Sequence, residues 1–268
     1  MELVVVKLGG SLITNKLQQS SARMRVLERL CREIALAREM MTEALLVSHG
    51  SGSFGHVAAA RFKLEEGLKE PAQLPGVATT QDQAHRLHRI VAGSLGQAGV
   101  AAFSLAPSSF AVADGGRPAV VHVEPFRLAL EAGLVPVTFG DVVLDRSRGA
   151  SICSTETVLS GLLAPLAEAG WPVRRVLWMG APDGVLDERG RTIPEVAAEN
   201  AEAAIAAAGA AAGQDVTGGM RHRLETALEM ALLGVESWIL NGMDGGVLER
   251  ALRGERVPGT KVRALGGR

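Results

Sequence analysis

Short runs rich in β-branched residues alternate along this chain with longer stretches of helical period, and few folds accept that order. "LVVVKL" (3–8) and "ALLVS" (44–48) read as buried strands. Between them, over about 21–41, Leu27, Leu30, Cys31, Ile34, Ala37 and Met41 recur as the stripe of an amphipathic helix. Further on come a helix over 79–98, a strand "VAAFSL" (100–105) and a short helix "FRLALEAG" stopped at Gly133. A strand "LVPVTFGD" (134–141) then runs into a loop. "CSTETVLSGLLAPLAEAG" is a helix entered through good capping residues. "VRRVLWM" (173–179) and "ESWILNG" (236–242) are strands flanking the helix "GGMRHRLETALEMALLG". Strands separated by helices predict an α/β fold, a mostly parallel sheet covered on both faces. Such sheets bind ligands in the loops beyond the carboxyl ends of their strands.

The chain's 268 residues, 47% hydrophobic, suffice for one large domain or two tightly joined lobes. A formal net charge of -1, no tyrosine and no basic block with interleaved aromatics argue against nucleic acid as a partner. Cys31 and Cys153 lack metal-ligand or CxxC spacing and read as buried small residues in a reducing compartment. "MELVVVKLGG" has the wrong order for a signal peptide, and no apolar run approaches the ~20 residues of a membrane span. A soluble cytoplasmic protein is expected. The tract 63–81, with its charges and prolines, is expected to be a flexible loop over a site. The Ala-rich piece 201–213 reads as helix plus a loose turn.

Four loops sit where ligands should bind: "KLGGSLITNK", "HGSGSFGH", "FGD" and "DVTGGM". Glycines allow backbone N–H groups to turn toward a bulky anion, and a helix start adds positive dipole. One Gly-Gly after a strand is commonly no more than a tight turn, but four such loops point to phosphate. None matches GxxxxGK[ST] or GxGxxG. Lys7 ends an apolar strand, where a lysine is rare unless paired. Either the strand has emerged into water, or Lys7 reaches into a phosphate site with Lys16 beside it; the adjoining Gly9 and Gly10 favour the second. His56 is able to donate to a phosphate oxygen. His49 is expected to brace the loop, and His85 and His88 to lie on a solvated helix face.

"VVKLGGSLITNK", "HGSGSFGH", "VPVTFGD", "DVTGGM" and the late Asn241, Gly242, Gly259 and Thr260 resemble, in order, the isopentenyl phosphate kinases of the amino acid kinase superfamily. The resemblance runs from about Lys7 to Thr260. It implies a three-layer αβα sandwich, a single domain with a phosphate-acceptor lobe (about 1–145) and a nucleotide-binding lobe (about 146–268). It further implies ATP with Mg²⁺, isopentenyl phosphate as acceptor, and a homodimer.

By that resemblance Lys7, Gly9, Gly10 and Ser11 would hold the ATP phosphates, and Lys16 would stabilise the transferring group. Gly50 and Ser51 would lie between the two substrates' phosphates, with Gly52 and Ser53 completing the loop. His56 would hydrogen-bond the acceptor's phosphate. Gly140 and Asp141 would lie near the acceptor, Asp141 also orienting Lys7. Glu156, Asp183, Thr217, Gly218, Gly219 and Arg223 would serve the nucleotide. No protein metal ligand is assigned. Four positions depart from the family's pattern: Ser51 replaces a glycine, Glu156 an aspartate and Arg223 a lysine, and "GAPDG" keeps only Asp183 and Gly184 of its motif. Two alternatives stand beside this reading: a kinase for another small phosphate or phosphonate such as fosfomycin, and a nucleotide-binding sensor that has lost catalysis.

Overall fold

The computed structural model describes residues 1–210 and 219–263, the side chains of 56–58 and 210 excepted. Within them the strands are β1 (Leu3–Leu8), β2 (Ala44–His49), β3 (Ala102–Ser104), β4 (Ala111–Asp114), β5 (Arg117–Val121), β6 (Val135–Phe139), β7 (Asp141–Asp145), β8 (Gly149–Cys153), β9 (Val173–Gly180), β10 (Glu195–Val196), β11 (Glu236–Asn241) and β12 (Thr260–Val262). The helices are α1 (Gly10–Ile13), α2 (Met24–Arg38), α3 (His56–Arg61), α4 (Leu74–Gln97), α5 (Pro107–Phe110), α6 (Glu124–Glu131), α7 (Thr155–Glu168), α8 (Ala201–Ala210), α9 (Gly219–Leu232) and α10 (Val247–Leu252).

The main sheet runs β10-β12-β11-β9-β1-β2-β6-β3, with β1 at its centre, parallel to both neighbours. Only the β11–β12 pairing within it is antiparallel. Alternation along β1 decides which side each residue serves. Val4, Val6 and Leu8 pack with Leu27, Leu30 and Ile34 of α2 and Leu87 and Val91 of α4. Leu3 and Val5 pack on the opposite face with Leu159 and Leu162 of α7 and Leu224 and Ala227 of α9. Each fully buried aliphatic side chain contributes about 1.5–3 kcal/mol, whereas an exposed ion pair such as Arg86–Asp82 contributes about 0–1 kcal/mol. Burial on both faces therefore holds the three layers together. Cys31 and Cys153 are buried free thiols.

Three sequence expectations are corrected. The tract 63–81 is ordered: 3₁₀ turns at Leu64–Glu66 and Pro71–Gln73 run into α4, which begins at Leu74 rather than 79. Pro71 and Pro75 occupy first-turn positions, where a missing N–H costs nothing. A second sheet, β5-β4-β7-β8, is inserted between the strands of the main sheet and was not anticipated. The strand over 100–105 shortens to the edge strand β3. Helix α8 agrees with the Ala-rich reading as far as residue 210; its expected loose turn lies outside the described residues. No helix among the described residues is long and apolar enough to cross a membrane.

Candidate active site

Lys7 shares the face of Leu3 and Val5 but lies past the aliphatic layer, where α7 and α9 begin. Ser154 caps α7, its hydroxyl accepting from Thr157 N at 3.1 Å, so Glu156 falls in the first turn. From there Glu156 Oε1 accepts from Lys7 Nζ at 2.6 Å, with both side chains buried. Arg223, in the second turn of α9, is buried alongside them. Burial works against ionising Glu156, but Lys7 and Arg223 outweigh it and hold the carboxyl down at about 2. Burial lowers the Lys7 pKa; Glu156 opposes that, and Arg223 adds to it. The ammonium has three N–H groups and gives one to Glu156, which leaves two for a ligand.

The first two glycine loops are pressed against each other. A Cβ on Gly10 would stand 2.4 Å from Gly52 N, and one on Gly52 would stand 2.1 Å from Thr14 Oγ1. Gly52 also has φ +50°, in the left-handed region. The Thr14 hydroxyl stitches the loops, donating to Gly10 O at 2.7 Å and accepting from Ser53 N at 3.0 Å. The glycines here serve close packing of backbone on backbone as well as any approach of phosphate.

Gly140 and Asp141 follow β6. The Asp141 carboxylate accepts from Val142 N at 2.8 Å and Ser108 N at 3.2 Å, with His85 Nε2 at 3.3 Å. Asp141 is thus tied to His85 and to backbone amides, and Lys7 is oriented by Glu156 instead, which corrects the expectation for Asp141. His88 is corrected too: it is buried, not solvated, because it lies on the α4 stripe of Ala84, Leu87, Val91 and Leu95. Residues of the second sheet line the same cleft. There Asp145 draws two turns together, accepting from Gly116 N at 2.7 Å, Arg148 N at 2.8 Å and the Ser151 hydroxyl at 2.7 Å. Burial opposes its ionisation, and these donors more than compensate, holding the carboxyl well below the usual carboxylate range.

These elements enclose a cleft of about 1140 Å³. Its lining brings together Lys7, Gly10, Ser11, Lys16, Gly50, Ser51, Gly52, Ser53, Gly140, Asp141, Glu156, Gly219 and Arg223. Lys16 is exposed at its rim. Two expected residues are not in the lining. Gly9 lies behind, its N–H donating to Met179 O at 2.8 Å, and exposed Asp183 accepts from Asn241 Nδ2 at 2.7 Å. His56 begins α3, but its side chain, like Thr217 and Gly218, lies outside the described residues. Sequence reasoning missed Asp145 and Ser151. The signal for Asp145 was "DRSRG" (145–149), turn-forming residues between two apolar runs. Among the described residues no three His, Cys, Asp or Glu side chains are grouped to hold a metal ion.

Residues 2–241 match the model of the amino acid kinase family. The chain is 34% identical to an isopentenyl phosphate kinase of Methanothermobacter thermautotrophicus, over 97% of this chain and 98% of that one. It is 33% identical to one of Haloferax volcanii, over 98% and 99%. A solved isopentenyl phosphate kinase structure superposes with a TM-score of 0.82 at 31% identity, covering 97% of this chain and 99% of that chain. With a mostly parallel sheet, glycine loops at its strand ends and these relatives over nearly its full length, the chain belongs to the amino acid kinase family, among the isopentenyl phosphate kinases.

Proposed function

We propose that this kinase moves the γ-phosphoryl group of ATP to the phosphate of isopentenyl phosphate, giving ADP and isopentenyl diphosphate. The observation that carries the proposal is the convergence of Lys7, Arg223 and the two interlocked glycine loops on one cleft with room for two phosphorylated ligands. The relatives act on that acceptor by name.

Transfer between two phosphates brings anions together, so the chemistry asks for positioning and charge neutralisation. The acceptor phosphate is already ionised and needs no strong general base. In this reading Lys7, Gly10 and Ser11 hold the ATP phosphates, Gly9 backs their loop through Met179, and Glu156 fixes Lys7 in place beside Arg223. Lys16 meets the transferring group from the rim. Gly50 and Ser51 lie between the phosphates, Gly52 and Ser53 complete the loop, and His56 holds the acceptor. Gly140 and Asp141 border the acceptor, and Gly219 borders the nucleotide. Asp183, paired with Asn241, takes the nucleotide's outer side. About 1–145 then forms the acceptor lobe and about 146–268 the nucleotide lobe.

Mg²⁺ belongs to the reading as the partner of ATP. The described side chains do not fit a protein-held site, since the most central carboxylate, Glu156, is engaged by Lys7. The reading also takes in a cytoplasmic location and, from the family resemblance, a homodimer, which light scattering checks. The deciding experiment is a coupled ADP assay with isopentenyl phosphate, dimethylallyl phosphate and fosfomycin side by side. Fastest turnover with isopentenyl phosphate is expected. Faster turnover with fosfomycin, or ATP binding with no ADP released from any acceptor, refutes the assignment.

A further inference from the structure

Behind the second glycine loop lies a pair of histidines that the reaction as described does not use. His49 ends β2 and is completely buried, and His88 of α4 is buried beside it. His49 Nδ1 lies 3.2 Å from Gly50 O, and His49 Nε2 lies 3.2 Å from His88 Nδ1. Phe139 lies nearly flat against both rings, at centroid distances of 5.4 and 4.3 Å and interplanar angles of 7° and 23°.

These contacts fix where the protons sit. A carbonyl oxygen only accepts, so His49 Nδ1 carries a hydrogen. Burial keeps both rings neutral, pushing His49 down to about 3 and His88 to about 4. A neutral ring has one N–H, so His49 Nε2 is bare and accepts from His88 Nδ1–H. The chain of donors ends at His88 Nε2, a bare lone pair that is buried without a hydrogen-bond partner among the described residues. An unmet lone pair is the less costly orphan; the opposite arrangement would aim an N–H at no acceptor and two lone pairs at each other.

Peptide geometry carries the consequence into the cleft. The C=O of Gly50 and the N–H of Ser51 belong to one trans peptide and point in opposite directions. Holding the oxygen against His49 turns the Ser51 N–H away from His49, and Gly50 and Ser51 both line the cleft. The same histidine's backbone carbonyl accepts from the Thr155 hydroxyl at 2.7 Å, so its position is also set by the start of α7.

We propose that His49, with its tautomer set by His88, is a positioning residue for phosphoryl transfer: it locks the Gly50–Ser51 peptide so that the Ser51 N–H is presented to phosphate oxygens. This rests on the phosphotransferase reading of the cleft, and its test separates the two. Nitrogen-15 imidazole NMR on the full-length protein at neutral pH needs no substrate. It should report Nδ1–H at both His49 and His88; Nε2–H at His49 overturns the proposal. In kinetics, His49→Phe keeps the ring stack and removes the donor. It should lower kcat by on the order of 10²-fold while both KM values hold, with a lower Tm because the buried His88 N–H loses its acceptor. His49→Asn, whose amide donates from near the place of Nδ1, should restore most of that loss. A folded His49→Phe enzyme with wild-type kcat overturns the proposal, and if that variant does not fold, the tautomer measurement decides. The wild-type rate with isopentenyl phosphate, measured alongside, reports separately on the acceptor assignment.

Discussion

Glu156, in the first turn of α7, reaches Lys7 on β1 at 2.6 Å across 149 positions of chain. Breaking the pair leaves a buried ammonium without its counter-charge, which is costlier than never having built the pair. Glu156→Gln should therefore lower kcat by about 10²-fold, and Glu156→Asp, one methylene shorter, by less. Steady-state kinetics with both substrates varied checks this.

The same pair shapes acid stability. The Glu156 carboxyl is held down to about 2 from an ordinary 4.5. Between those values the unfolded chain takes up a proton that the native chain refuses, so falling pH favours unfolding. The stabilisation is fully present above about pH 4.5 and is lost as pH approaches 2. Urea midpoints across that window should fall more steeply for the wild type than for Glu156→Gln.

Glycine substitutions should divide sharply by place. Gly10→Ala drives a methyl into Gly52 N and should destabilise by about 1–3 kcal/mol and abolish turnover. Gly93, on the exposed side of α4, has nothing within 4 Å of its added Cβ. Gly93→Ala should stabilise by about 0.5–1 kcal/mol with unchanged activity. Denaturation paired with the ADP assay reads both.

Lys16→Ala and His56→Ala should each lower kcat by about 10²–10³-fold while Tm stays put, the signature of a lost electrostatic contact to the transferring group. A wild-type rate at subsaturating substrate in either variant removes that residue from the mechanism.

Asp145→Asn weakens the clasp that joins the Gly115–Gly116 and Ser147–Arg148 turns. It should cost about 2 kcal/mol of stability. Because the clasped turns line the cleft within the proposed acceptor side, the acceptor's KM should rise more than that of ATP. Urea titration and two-substrate kinetics check the two effects.

What could be read without coordinates was whatever depends on neighbours in sequence. The order of strands and helices and the stripe of α2 pointed to the layers, and the odd position of Lys7 beside Gly9 and Gly10 marked the site. The partners of those residues were illegible because they come from distant chain. Glu156 stood out only as a departure from a family pattern, with nothing to tie it to Lys7. Asp141 was assigned to Lys7 for want of any sign of His85 and the Ser108 amide. His88 was readable but misjudged, since four residues on its own stripe are buried with it. The second sheet was hidden differently. Its hairpin turns on Asp114, Gly115 and Gly116 between runs of only 4 and 5 residues, too short for a period to stand out.

The alternation of β1 sets a parity on the chain. Deleting or adding a single residue between Leu3 and Gly9 would swing Lys7 onto the opposite side, among the leucines and isoleucine of α2, and send a valine toward Glu156. Homologues can then lengthen or shorten freely ahead of that strand, but within it only changes that preserve odd and even can survive.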